Sequence, residues 1–258
     1  MAMVAHSLSV LSVEHYTDQY FRFRLERPEG FRFESGQFIM VGLFVDDQPI
    51  LRAYSIASPP WDEEIEFYSI IIPDGQLTSR LQHIQPGDHV AMSGKAVGSL
   101  TLKELKAGGS RLFMLSTGTG VAPFASLLRD EETYERFDEV YLAQTCRLTT
   151  DLRYAEERVA EAHECPLVGD EAATKLRFYG SVTREPHTFE GRITDLIESG
   201  KFFRDLGIPE FNPETDRVMI CGSLEMVKDT RALLEARGFS KGTRQTGPDH
   251  VWEKAFVG

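Results

Sequence analysis

The sequence predicts a two-domain protein in which an antiparallel β-barrel or sandwich precedes a doubly wound parallel α/β sheet. Short strand-like runs separated by Pro/Gly turns occupy the first hundred residues. Strand-like and helix-like segments alternate from about residue 110 onward. The pattern changes within LKELKAGGS, where glycine and serine cluster. We therefore expect a first domain over 1–102 and a second over 108–258.

The first half contains five strand candidates. YFRFRLE alternates, with Phe21, Phe23 and Leu25 on one face and arginines on the other. The other candidates follow at short spacings: GQFIMVGLFV, LRAYSIAS, EIEFYSIII and HVAMSGKA. A helical piece, LTSRLQHI, follows PDGQ. Short strands in this arrangement predict a small antiparallel barrel or sandwich.

The second half alternates between buried-type strands and helices. The strand candidates are RLFMLS, EVYLAQT, LRFYGSV and RVMICGS. The helix candidates are ASLLRDEETYERF, DLRYAEERVAEAH and LEMVKDTRALLEARG. We expect EAHECPLVGDEAATKL to be irregular. The alternation is typical of a doubly wound sheet.

Composition narrows the functional classes. The 258 residues are 41% hydrophobic and 26% charged, which is typical of a soluble globular protein. A net charge of -12 argues against nucleic acid as the main partner, because phosphate binding needs a basic face. No apolar run is long enough to span a membrane, and no signal peptide is evident, so we expect a cytoplasmic protein. Three scattered cysteines indicate neither a disulfide framework nor a thiolate metal site.

The segment STGTGVAP joins a predicted strand to a predicted helix. Gly118 and Gly120 let the backbone approach an anion, and the helix start directs amides and a positive dipole end toward it. A tight turn without a ligand is the alternative. The position of STGTGVAP between a strand and a helix favours a phosphate site over that alternative.

Two arginines follow successive strands of the second half. An NAD site usually carries Asp or Glu after its second strand, but here Arg147 follows that strand. Arg184 follows the next strand, in SVTREP. Guanidinium groups pair with a 2′-phosphate, so the two arginines favour NADP over NAD. Either arginine alone is also consistent with a surface charge, which is our interpretation of Arg153.

The segment RAYSIAS (52–58) resembles the flavin signature R-x-Y-S/T of the plant-type ferredoxin–NADP reductase superfamily. PDGQLTSRL, STGTGVAP and a CGS before a helix follow in the order of that family. The YSI strand, TREP and the EKAFV ending resemble the bacterial ferredoxin/flavodoxin–NADP reductases in particular. The resemblance covers essentially the whole chain. It implies an FAD-binding β-barrel followed by an NADP-binding α/β domain.

The resemblance implies that Arg52 neutralises the FAD pyrophosphate, that Tyr54 lies against the isoalloxazine, and that Ser55 hydrogen-bonds near its N5. Arg52 and Tyr54 share one face of an alternating strand, so one edge can contact both phosphate and ring. A purely core role is the alternative for Tyr54. The other FAD contacts that the resemblance implies are Ala53, Tyr68, Ser69, Ile70, Leu77, Thr78, Ser79, Thr117 and Phe256.

The resemblance also implies NADP contacts and catalytic residues. The NADP contacts are Thr119, Gly120, Cys146, Arg147, Arg184, Cys221 and Gly222. The catalytic positions are Ser55, Cys221, Glu253 and Ala255. Read by itself, Cys221 ends an apolar strand and is typical of a small buried residue rather than a nucleophile.

The ending WEKAFVG is unusually apolar. A final edge strand is one interpretation. The resemblance implies more: Ala255 would face the isoalloxazine and Phe256 would stack on the FAD adenine, so the tail would return to the flavin. Trp252 either packs on the protein or alters access to the ring.

The resemblance implies a flavoenzyme that moves electrons between NADP(H) and ferredoxin or flavodoxin, through hydride transfer between nicotinamide and FAD N5 and one-electron exchange with the carrier. The alternatives are an NADPH-dependent flavin or ferric reductase, an oxygenase reductase component, or a non-catalytic redox-sensing subunit. We expect a monomer. An acidic carrier would need a local basic patch, for which the candidates are the arginines of FRFRLERPEGFR and the lysines from Lys95 to Lys106.

Overall fold

The computed structural model describes residues 4–46, 48–243 and 246–255. Six antiparallel strands and one short helix build the N-terminal half. They are β1 (Val4–His15), β2 (Tyr20–Glu26), β3 (Phe38–Val45), β4 (Gln48–Ser55), β5 (Glu64–Ile70), α1 (Thr78–Leu81) and β6 (His89–Ser93). Their order in the sheet is β4-β3-β6-β1-β2-β5.

This sheet curves around an aromatic core as an open barrel. Phe21, Phe23 and Leu25 are fully buried, which confirms the predicted alternation of β2. No strand ladder joins the outer strands β4 and β5 within the described residues. Beyond the end of β4, the Ala57 amide donates to the Glu66 carbonyl at 2.9 Å, so the two edges meet without a ladder.

Five parallel strands form the sheet of the second half. They are β7 (Arg111–Thr117), β8 (Glu139–Cys146), β9 (Leu176–Val182), β10 (Asp216–Gly222) and β11 (His250–Lys254). Their order is β11-β10-β7-β8-β9, so the winding direction reverses between β7 and β10. Ligands of open α/β sheets bind at such a switch point, beyond the carboxyl ends of the strands.

Seven α-helices accompany the second sheet in the part of the chain that the structure describes. They are α2 (Ala122–Leu127), α3 (Glu131–Arg136), α4 (Arg153–Glu164), α5 (Gly169–Lys175), α6 (Ile193–Glu198), α7 (Lys201–Leu206) and α8 (Leu224–Ala236). No helix in the described part of the chain is both long and apolar enough to cross a membrane.

Strand β1 was not predicted, and the structure differs from the expected elements in three further places. The predicted helix ASLLRDEETYERF is two helices, because Asp130 begins a new one by accepting the Glu132 amide at 3.1 Å. The segment expected to be irregular contains α5. Helices α6 and α7 were not predicted, and Gly200, in the left-handed conformation at φ 71°, separates them.

A buried carboxylate joins the barrel to the α/β half. Glu66 of β5 is 1% exposed and accepts hydrogen bonds from Arg22 and Arg24 of β2 at 2.9 and 2.8 Å. From α4, Arg158 and the Tyr154 hydroxyl donate to it at 2.9 and 2.8 Å. Burial by itself raises the pKa of Glu66, but the three guanidiniums, Arg158 foremost, lower it to about 2. Arg22 and Arg24 are therefore committed to this junction, and the hypothesis that they form a free docking patch is wrong.

Candidate active site

A cleft of about 340 Å³ lies between the barrel and the second sheet. Most of the residues that the sequence singled out line it. From the barrel these are Arg52, Ala53, Tyr54, Ser55, Tyr68, Ser69, Ile70, Leu77 and Thr78, and from the second half Thr119, Cys221, Glu253 and Ala255. The structure thus places the candidate flavin strand opposite the switch point of the parallel sheet.

Strand β4 supplies one wall of the cleft. Tyr54 is 9% exposed, packs edge-on against Phe23 and Phe67, and shares a 3.3 Å hydrogen bond with the Ser69 hydroxyl. It is therefore a core aromatic and a cleft residue at once. Burial raises the pKa of Tyr54, so its phenol stays neutral.

Arg52 carries the positive charge of that wall. Its guanidinium donates to the Leu51 carbonyl at 2.9 Å and to the Gln76 side chain at 3.3 Å. It has no acidic partner among the described residues. Its charge is thus available to an anion in the cleft.

The turn before α1 forms the floor. The Thr78 hydroxyl accepts the Ile72 amide at 3.1 Å, so it braces the turn and is not a free ligand. The Leu77 side chain belongs to the barrel core, and the Ser79 amide donates to the Gly75 carbonyl at 3.3 Å. The backbone amides of 76–78 donate no hydrogen bond to any described residue. Three open amides beside a guanidinium that has no acidic partner among the described residues fit a pyrophosphate such as that of FAD.

The glycine turn at the end of β7 is packed against β10. A Cβ on Gly120 would lie 2.1 Å from the Cys221 carbonyl oxygen, so only glycine fits there. The buried Gln144 side chain donates to the Gly118 carbonyl at 2.9 Å and fixes the turn. Sequence analysis missed Gln144, although a polar residue near the end of an apolar strand is a signal for such a role.

Thr117 and Gly222 tie the two turns of the switch point together. The Thr117 hydroxyl accepts the Ser223 amide at 3.0 Å, and a Cβ on Gly222 would lie 2.3 Å from that hydroxyl. Thr117 does not line the cleft. In this structure its side chain braces the switch point, whereas the resemblance implied a contact with the flavin.

The two predicted arginines meet beyond β8 and β9. The Arg184 amide donates to the Arg147 carbonyl at 3.0 Å, and both side chains are exposed without an ion pair among the described residues. Arg153 differs, because it pairs with Glu157 at 2.9 Å and with Glu14 at 3.4 Å. Its interpretation as a surface charge is confirmed.

The Cys146 side chain is buried next to the backbone of Gly118, in the predicted phosphate turn. It is 6% exposed, packs with Leu152 and Val182, and lies 3.6 Å from the Asp151 carbonyl. Burial raises its pKa to about 12. The thiol therefore stays protonated, and Cys146 does not line the cleft.

Cys221 and Glu253 are neighbours on paired strands β10 and β11. Cys221 is 2% exposed, and burial raises its pKa far above the usual range, so the thiol is not a nucleophile. Glu253 accepts the Ser99 amide of the barrel at 2.9 Å. Burial also raises the pKa of Glu253. This carboxyl therefore links the second sheet to the barrel at the cleft.

The tail continues the sheet into the cleft. The Ala255 amide donates to the Gly222 carbonyl at 2.8 Å, and Ala255 lines the cleft. Trp252 packs elsewhere, with the Arg231 guanidinium carbon 4.5 Å from its ring centroid. Of the two roles open for Trp252, packing is the one observed. The expected contact of Phe256 lies outside the described residues.

Comparison with known proteins decides the family. The family model of the oxidoreductase FAD-binding domain matches residues 9–101, and that of the oxidoreductase NAD-binding domain matches 114–232. A flavodoxin/ferredoxin–NADP reductase of Rhodobacter capsulatus is 51% identical over 251 residues, which cover 97% of this chain and 93% of that protein. This chain belongs to the ferredoxin/flavodoxin–NADP reductase family.

Further members of the reductase family agree with this assignment. A ferredoxin–NADP reductase of Pseudomonas aeruginosa is 48% identical over 96% of both chains. The crystal structure of a ferredoxin NADP+ reductase from Neisseria gonorrhoeae, with bound FAD and NADP, superposes with a TM-score of 0.88 at 30% identity. That match covers 97% of this chain and 98% of the other. The expected pair of FAD-binding and NADP-binding folds is confirmed.

Proposed function

We propose that this protein is a flavoenzyme that transfers electrons between NADP(H) and ferredoxin or flavodoxin. The observation that carries the proposal is one cleft that unites the flavin signature of β4 with the switch point of the parallel sheet. The names of its relatives support the same activity. When bound, FAD would supply hydride exchange with nicotinamide and single-electron exchange with the carrier.

The barrel residues bind and orient the flavin. Arg52 and the open amides of 76–78 hold its pyrophosphate, because they offer a charge and three donors at one end of the cleft. Tyr54 and Ser55 line the cleft where the flavin ring would bind, and the Ser55 hydroxyl would supply a hydrogen-bond donor near N5. Ala255 lines the same cleft from the tail and would help to exclude water from the ring.

The second half binds the nicotinamide dinucleotide. Thr119 and Gly120 take its pyrophosphate at the turn after β7. The Arg147 and Arg184 guanidiniums take the 2′-phosphate, since neither has another anionic partner in the described structure. Cys221 and Glu253 flank the position where nicotinamide meets the flavin. We assign 1–102 to the flavin domain and 108–258 to the NADP domain with its returning tail.

Anaerobic mixing experiments test this function. The FAD-loaded protein is mixed with NADPH or NADH, and then with oxidised ferredoxin or flavodoxin, while flavin absorbance is followed. We expect NADPH to bleach the flavin faster than NADH, and the carrier to restore the absorbance.

Other outcomes identify the alternatives. Reduction of dyes or free flavin, but of neither carrier, would indicate a flavin or ferric reductase. A protein that takes up no FAD and oxidises no NADPH would be a non-catalytic subunit. We further propose a monomer in the cytoplasm, which light scattering and cell fractionation would check.

A further inference from the structure

Tyr20 reaches from the barrel toward the second sheet. It begins β2, and its ring stacks on Tyr68 with centroids 5.7 Å apart and 20° between the planes. Its amide donates to the Thr17 hydroxyl at 3.2 Å, and its carbonyl accepts the Tyr16 amide at 2.9 Å. The hydrogen bonds hold the backbone at the start of β2 and the stacking holds the ring, so the Tyr20 hydroxyl has a defined position.

That hydroxyl lies over the first glycine of the phosphate turn. A Cβ built on Gly118 would be 3.4 Å from the Tyr20 hydroxyl oxygen. Gly118 has a φ of 53° and no side chain to separate the two. The Gly118 carbonyl already accepts from Gln144 at 2.9 Å. The Tyr20 hydroxyl therefore lies within reach of a ligand on the turn.

The hydroxyl makes no hydrogen bond to any described residue. The Tyr20 hydroxyl oxygen is not fully enclosed by protein atoms, so it borders solvent. Burial raises the pKa of Tyr20 to about 12, with Cys146 and Asp151 adding to the rise and Arg147 opposing it. The phenol thus keeps its proton as a donor. Because Arg147 lowers the pKa of Tyr20, the Tyr20 hydroxyl lies within electrostatic reach of Arg147.

We propose that the Tyr20 hydroxyl donates a hydrogen bond to the pyrophosphate of NADP(H) bound on the Gly118–Gly120 turn. The barrel then contributes a binding residue to the nucleotide site of the other domain. This inference rests on the proposed NADP(H) function. NADP(H) and NAD(H) both contain the pyrophosphate. The contact therefore strengthens the binding of both nucleotides and does not discriminate between them.

Tyr20→Phe in the FAD-loaded enzyme tests the contact, because it removes one oxygen and keeps the stacked ring. We expect the Kd for NADP+, measured by calorimetry, to rise about 10-fold, the scale of a lost hydrogen bond to a charged group. The KM values for NADPH and NADH should rise by the same factor. The preference between the two should not change.

Tyr16→Phe is the matched control. Tyr16 belongs to the same aromatic group, but its hydroxyl donates to Glu157 at 2.6 Å, so NADP+ affinity should be unchanged. The proposal is overturned if Tyr20→Phe binds NADP+ as tightly as the wild type does. It is also overturned if the KM rises for NADPH alone, or if Tyr16→Phe weakens NADP+ binding by the same factor. If the wild-type enzyme bound no NADP+, the proposed function would be overturned instead. That result is obtained before any variant is made.

Discussion

Arg147 and Arg184 meet because β8 and β9 are parallel neighbours whose carboxyl ends share one edge. We expect Arg147→Ala and Arg184→Ala each to raise the KM for NADPH about 10-fold, since each removes a charged hydrogen bond to the 2′-phosphate. The KM for NADH should stay constant, because NADH lacks that phosphate. Steady-state kinetics with both nucleotides measures the change.

Arg153→Ala is the control for this pair, because Glu14 and Glu157 already neutralise that arginine. It should leave the preference for NADPH intact. A preference that also survives both test substitutions would show that the pair does not bind the 2′-phosphate.

Among the lysines, Lys95 is the remaining candidate for carrier docking at the residue scale, and Arg32 remains among the arginines because it is exposed without an ion pair in the described structure. Lys103 pairs with Glu34 at 2.5 Å and Lys106 with Asp249 at 3.4 Å, whereas Lys95 is exposed without an ion pair among the described residues. Its loop reaches the cleft, where Ser99 binds Glu253. We expect Lys95→Glu to raise the KM for an acidic carrier several-fold at low salt, because the chain already carries a charge of -12.

Dye reduction by NADPH should be unaffected in Lys95→Glu. Lys241→Glu makes the same charge change next to Glu235, near the end of α8. That helix begins at the carboxyl edge of the sheet and runs away from the cleft, so this control should leave carrier kinetics unchanged. Equal carrier kinetics in Lys95→Glu and the wild type would exclude this docking role.

At the scale of elements, β11 and the residue that follows it have two roles, packing against α8 and lining the cleft. Trp252 packs on Arg231 of α8, while Ala255 lines the cleft. We expect a chain stopped after Lys254 to lose FAD during gel filtration and to transfer hydride more slowly, because part of the flavin wall is removed. The FAD-to-protein ratio and stopped-flow bleaching by NADPH measure both effects.

Trp252→Ala is the control on the same strand. It removes a cation–π contact worth about 1 kcal/mol and should lower the unfolding temperature slightly without changing FAD content. If the shortened chain kept its flavin and its kinetics, the tail would only pack against the sheet.

The predicted elements were those with a strong local pattern. Strand β2 shows a clear alternation, and its bounds match the segment YFRFRLE. The helices α5, α6 and α7 have only six or seven residues each. Helices this short are marginal alone and form because tertiary packing stabilises them, so local sequence gives little signal.

At the scale of the whole molecule, Glu66 holds the two domains together. In Glu66→Gln three guanidiniums lose their buried counter-charge, and breaking such a buried pair costs about 3–5 kcal/mol. Urea unfolding of the FAD-loaded protein should show this loss. Glu64→Gln, on the same strand but 38% exposed and 3.4 Å from Arg24, should cost less than about 1 kcal/mol.

The Glu66 contribution should depend on pH in one direction. Folding lowers the pKa of Glu66 from 4.5 to about 2, so its contribution is full above pH 4.5 and is lost as the pH falls toward 2. The difference in unfolding free energy between wild type and Glu66→Gln should shrink over that range. A difference independent of pH would show that Glu66 is not ionised at the junction.

The sequence by itself determined the fold class and the order of the motifs, because these depend on local alternation and on turns whose chemistry lies within a few residues. Most residues of the cleft wall were implied by the resemblance of those motifs to the reductase family. Tertiary structure alone decided what the polar face of β2 does. Arg22 and Arg24 bind Glu66, which also accepts Arg158 of the second domain, and these residues come from distant parts of the chain. Pairings across such separations leave no periodic trace in the sequence, so the arginines resembled a free basic patch until the two domains were seen in contact.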